Sequence, residues 1–127
     1  MGGKIISLSI LLALLLPNCK SPAEPEQPKH ANVIMFEGPI YVEDELSFSY
    51  KGTVKNVGLI TAKFAKVYIY LRKSDNSLID KQDTYIDDTE LLAQETSAWD
   101  WMWLDFDGTL RDKMDKNKTT FEIKWDE

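Results

Sequence analysis

Asp105 and Asp107 stand two residues apart in Trp103-Leu104-Asp105-Phe106-Asp107-Gly108-Thr109-Leu110, directly behind an apolar run. Carboxylates at that spacing can divide the labour of a group transfer, one as nucleophile and the other as acid/base. Together with Asp112 and Asp115 they could instead offer oxygens to a hard cation such as calcium, which takes roughly six to eight. The closing Glu of the twelve-residue calcium loop is missing, so a solvated charged loop is the expectation. A second constellation is Trp99, Trp101 and Trp103, which share one side of a period-two pattern. Three indoles in a row form either core or a platform on which a sugar ring or a partner protein stacks. The expectation is core, with Asp100 on the wet side. The alternative is an exposed stripe, which follows if Met102 and Leu104 face inward. The third candidate is Cys19, the single cysteine. One thiol cannot close an intramolecular disulfide or build a cysteine-rich zinc site. The single histidine, His30, has no neighbouring ligand types and reads as a solvated residue. No metal and no cofactor is expected.

The element that must position all of these runs from Leu46 to Leu71. Leu46, Phe48, Tyr50, Gly52 and Val54 alternate with Ser47, Ser49, Lys51, Thr53 and Lys55. That is the pattern of a strand with one buried and one wet face. After a break at Asn56-Val57-Gly58, Ala65, Val67, Ile69 and Leu71 resume it against Lys66, Tyr68, Tyr70 and Arg72. Gly52 on the buried side leaves room for a close approach by a large aromatic. Asn56 can bond neighbouring backbone, and Gly58 can supply a positive φ. Around these two strands, Val33–Phe36 predicts a first strand closed by a turn at Gly38-Pro39, which Ile40–Val42 then continues. The polar cluster 73–77 closes a hairpin onto a charge-protected edge strand, 78–86. The indole run and Phe121-Glu122-Ile123-Lys124-Trp125 supply the last strands. Residues 105–118 form a charged loop with room for one helical turn at Leu110–Met114. Six or seven strands separated by polar turns predict an all-β sandwich over residues 32–127.

The chain has 127 residues and a net charge of −6. That length holds one domain with appendages. An acidic surface argues against a nucleic-acid partner, whose phosphates need Lys and Arg. The appendages are at the N-terminus. Lys4 precedes an apolar run from Ile5 to Leu16, too short to span a bilayer and the right length for an export signal. Residues 19–31, with Pro22, Pro25 and Pro28, read as a disordered, semi-rigid tether that reaches about 30–40 Å.

Leu16-Pro17-Asn18-Cys19 resembles the lipobox of bacterial lipoproteins, with Asn18 where Gly, Ala or Ser is usual. The resemblance implies cleavage of residues 1–18 and lipidation of Cys19. It also implies export, anchorage to a bacterial membrane on its periplasmic or cell-surface face, and an envelope protein as partner. Gly52-Thr53-Val54-Lys55-Asn56-Val57-Gly58, the alternating run 65–71 and Leu92–Trp99 resemble the FxLYD domain group of bacterial envelope proteins. Arg72-Lys73 replaces that group's naming Tyr-Asp. This likeness implies an immunoglobulin-like sandwich and brings no catalytic residue with it. Asp105-Phe106-Asp107-Gly108-Thr109-Leu110 resembles the signature of haloacid-dehalogenase-like phosphatases, in which Asp105 would be the nucleophile and Asp107 the acid/base. That chemistry needs further magnesium carboxylates and a phosphate-binding Lys on later parallel strands. Too few residues follow Thr109 to supply them. The expectation is therefore a non-catalytic, lipid-anchored envelope module. Ligand binding by the Trp99/Trp101/Trp103 stripe is the alternative, and a phosphatase is a remote one.

Overall fold

A computed structural model describes residues 28–127. The expected signal peptide, Cys19 and most of the tether lie outside the described residues. Seven strands form: β1 (Val33–Glu43), β2 (Ser47–Asn56), β3 (Ala62–Arg72), β4 (Leu78–Tyr85), β5 (Glu90–Leu91), β6 (Thr96–Leu104) and β7 (Thr120–Asp126). One short helix, α1 (Thr109–Lys113), interrupts them. It falls where the loop was expected to hold a turn.

The strands make two antiparallel sheets, β1-β2-β6 and β4-β3-β7. Lys63 on β3 pairs with Glu90 of β5 and with Asp126 of β7, so β5 prolongs the β4 side. The chain crosses between sheets three times, at β2–β3, β5–β6 and β6–β7, so that β2 pairs with β6 in one sheet and β3 with β7 in the other. That interlock matches the B–E and C–F pairing of an immunoglobulin-like sandwich. The inward faces meet as the alternation demands. Phe48, Tyr50 and Val54 of β2 face Ala65, Val67, Ile69 and Leu71 of β3, and all are buried. β4 is the expected edge, carrying exposed Asp80, Lys81 and Asp83. The hairpin turn before it places Asn76 at φ 73°, and Asp75 Oδ1 accepts from the Ser77 amide and hydroxyl.

Four local expectations change. Leu46 is 49% exposed, because it belongs to the turn and not to the strand. Asp44 Oδ1 accepts from the amides of Leu46 and Ser47 and from the Ser47 hydroxyl, so the ladder starts one residue late. Gly38-Pro39 is not a turn between strands but a bulge inside one long strand. The register steps from Met35↔Val54 to Glu37↔Thr53 to Ile40↔Lys51, with Gly38 at φ 83°. Gly58 is required for space, not for a positive φ, since a Cβ there would collide with the His30 carbonyl. Packing reaches at least as far back as His30, before the expected boundary at Asn32: Ala31 is buried, and the His30 carbonyl accepts from the Leu59 amide at 2.8 Å.

The outer face of the β3 sheet interleaves aromatic and charged side chains. Lys81 Nζ lies 4.8 Å from the Tyr68 ring centre, and Lys66 Nζ lies 4.7 Å from that of Tyr85. The Tyr70 hydroxyl donates to Glu122 at 2.7 Å. Tyr68 and Tyr70 thus lie under long cationic side chains, as amphipathic surface residues do.

Candidate functional site

The period of two decides the fate of the indoles. Gly52 pairs with Trp99, Tyr50 with Trp101 and Phe48 with Trp103, and all six share the inward side. Trp99 is 2% exposed and Trp101 8%, while Trp103 is half-buried. Met102 and Leu104 face out instead, 60% and 55% exposed. The exposed platform of Trp99, Trp101 and Trp103 therefore does not form. The rings pack edge-on and stacked against Phe48, Tyr50 and Phe121 with centroids 5.6–6.5 Å apart, the geometry of an aromatic core.

Asp105 and Asp107 do separate local work. Asp105 is buried, 5% exposed, and both of its carboxylate oxygens accept hydrogen bonds. Oδ1 takes the Leu110 amide at 3.2 Å. Oδ2 takes the Arg111 amide and the Arg111 Nε, each at 3.0 Å. Gly108, the N-cap residue just before α1, has no side chain to cap it, and Asp105 satisfies the helix amides in its place. Asp107 folds onto the Thr109 amide at 3.1 Å, away from this pair. Among the described residues, no three acidic, His or Cys side chains converge to hold a metal ion, so Asp112 and Asp115 do not join Asp105.

Arg111 is the residue that sequence reading missed here. Its guanidinium also donates to the carbonyls of Asp44 (2.6 Å), Glu45 (3.1 Å) and Asp105 (2.7 Å). It clasps the β1–β2 turn to the loop behind β6. The signal was weak, because nothing in a charged loop says which of its charges turns inward. Burial by itself would raise the Asp105 carboxyl. The amides of Arg111 and Leu110 and the Arg111 guanidinium outweigh it and hold the group below its ordinary value of 3.8. A depressed folded pKa stabilises the native state above the unfolded value and is lost as pH falls through the folded one. Native Asp105 therefore contributes fully at neutral pH, and its contribution fades as acid is added below about pH 4. Asp105→Asn is expected to cost about 1–3 kcal/mol at neutral pH and to flatten this acid limb. Urea midpoints measured from pH 7 down to pH 3 check it; parallel curves for the two proteins would refute it.

The sandwich is open along one side. β1 ends one sheet and β7 the other, and between them runs an apolar groove of about 590 Å³. Val33, Met35 and Pro39 form one wall and Phe121, Ile123 and Trp125 the other. The three β7 side chains are only half-buried. Among the described residues no strand pairs with the outer edge of β7.

Comparison of the chain with protein-family models, with curated proteins and with solved structures found no match. What the fold and the side chains define is a seven-stranded immunoglobulin-like sandwich with a packed aromatic centre and an open apolar seam. Cys19 lies outside the described residues.

Proposed function

We propose that the chain is an exported bacterial lipoprotein, anchored to a membrane by lipid on Cys19, whose sandwich is a non-catalytic interaction or structural module of the envelope. One observation carries this reading beyond the lipobox-like sequence: the described chain begins and ends at the same end of the sandwich. His30 Nδ1 lies 3.0 Å from Glu127 Oε1, and the Ala31 amide donates to Glu127 Oε2 at 2.9 Å. The loop tip carrying exposed Leu59 is bonded to His30, and exposed Leu92 lies on the adjoining loop. An N-terminal anchor would hold this end, with its exposed Leu59 and Leu92, toward the lipid, leaving the long faces and the β1/β7 seam for partners. Two buried acyl chains make such anchoring stable, at about 0.8 kcal/mol per methylene.

Nothing favours the ligand-platform reading once Trp99 and Trp101 are inside. A hydrolytic role for Asp105 would first require breaking its pair with Arg111. Mass spectrometry of the protein purified from its own membranes tests the anchor. The expected N-terminus is an acylated Cys19, and Cys19→Ala should move the protein to the soluble fraction. An intact Met1, or an unmodified Cys19 in membrane-bound protein, overturns the proposal.

A further inference from the structure

Among the described residues β7 pairs with β3 on one edge and with no strand on the other. On β3 the Ala65 carbonyl accepts from Ile86 on the β4 side, whereas the Arg72 carbonyl accepts from Asp115 on the other. Backbone groups alternate sides along a strand, so Lys66, Tyr68 and Tyr70 are the β3 residues that bond to β7. Their partners are Lys124, Glu122 and Thr120. The amides and carbonyls of Phe121, Ile123 and Trp125 therefore point away from β3, along the open seam. A row of unpaired backbone groups beside half-buried apolar side chains is a template for strand addition.

The sequence of β7 specifies which strand fits. A twofold axis between antiparallel strands sets one residue opposite itself, and its neighbours opposite each other. With the axis at Ile123, Glu122 faces Lys124 of the second copy, and Lys124 faces Glu122. On the inward side Phe121 faces Trp125 and Trp125 faces Phe121, while Thr120 meets Asp126. Opposite charges and aromatic pairs directly across from one another are the favourable cross-strand combinations. Moving the axis to Phe121 removes both Glu–Lys pairs and sets Glu122 opposite Thr120; moving it to Trp125 exchanges them for Lys124–Asp126 pairs but sets Ile123 opposite Glu127 and leaves Phe121 without its aromatic partner. We infer that two copies of this chain associate through antiparallel β7–β7 pairing centred on Ile123, joining their β4-β3-β7 sheets across the seam. The inference does not depend on the lipid anchor.

The test uses the full chain in neutral detergent with Cys19→Ser, so that any added thiol is the only one. Under mild oxidation Ile123→Cys should cross-link into a dimer, because self-opposed Cα atoms lie about 5.5 Å apart, within disulfide range. Leu78→Cys, on the β4 edge of the same sheet, should not. Without added thiols, sedimentation equilibrium should show a dimer. Glu122→Lys alone and Lys124→Glu alone should each weaken it about tenfold or more, since each sets like charges opposite at two positions. The two together should restore it, which separates a lost contact from a lost fold. A monomer at every concentration overturns the inference, as does failure of the double exchange to rescue. So do amides of Phe121, Ile123 and Trp125 that are protected from hydrogen exchange in a monomer, for then another segment of the same chain covers the edge.

Discussion

Asn56→Ala is expected to lower the unfolding free energy by about 3–5 kcal/mol, much of the stability of a domain this size. Asn56 is fully buried at the end of β2. Its Oδ1 accepts from the Asn32 amide at 3.1 Å and the Gly58 amide at 2.9 Å. Its Nδ2 donates to the Ile60 carbonyl at 2.8 Å and the Leu91 carbonyl at 2.9 Å. One side chain thus joins the entering chain, the β2–β3 crossover and β5. Truncation removes the partner of four backbone groups, two of which, the Gly58 amide and the Leu91 carbonyl, are buried, and each buried group left unpaired costs about 1–3 kcal/mol. Asn56→Asp separates this account from simple loss of volume. It keeps the shape and the two accepted bonds but aims an oxygen at two carbonyls. That variant should be strongly destabilised at neutral pH and recover as pH falls, when a protonated carboxyl can donate again. Chemical denaturation at several pH values reads both effects. A loss under 1 kcal/mol for Asn56→Ala would show that the hub is dispensable.

The second large effect is expected at Trp99. Trp99→Ala removes the largest fully buried side chain and should cost about 3–5 kcal/mol. Trp99 rests where Gly52 has no side chain: a Cβ on Gly52 would lie 3.2 Å from the indole Nε1 and 2.5 Å from the Glu37 carbonyl. The indole N–H makes no hydrogen bond in the described residues. Replacing it by a ring without that donor should therefore be milder, with Trp99→Phe costing about 1–2 kcal/mol from volume alone. Gly52→Ala should be destabilising even combined with Trp99→Ala, since the contact with the Glu37 carbonyl of the β1 bulge remains. Urea midpoints of the single and double variants measure this. If Trp99→Phe proved as costly as Trp99→Ala, the N–H would have to have a partner after all.

The long alternating runs were legible for a simple reason. In β2, β3 and β6 one face is buried along nearly the whole strand, so each residue type reports its side directly. The same rule put the indoles inside, because Met102 and Leu104 are surrounded by no other inward residue in register. It failed at Leu46 and at Gly38-Pro39. There the local hydrogen bonds of Asp44 and the shape of a bulge outweigh a one-residue hydrophobic signal. The Asp105–Asp107 pair was legible as residues but not as roles. A carboxylate beside a Gly turn looks alike whether it awaits a substrate or caps a helix, and the difference is where Arg111 points.

The order of greasy and polar side chains by itself determined a two-sheet, all-β domain and the place for Gly52 under an aromatic, since both follow from spacing along one strand. Which charge meets Asp105, how many backbone groups gather on Asn56, and which strand edges stay open depend on residues far apart in the chain. Only the closing of the two sheets brought those groups within hydrogen-bond reach, and no local pattern encodes that distance.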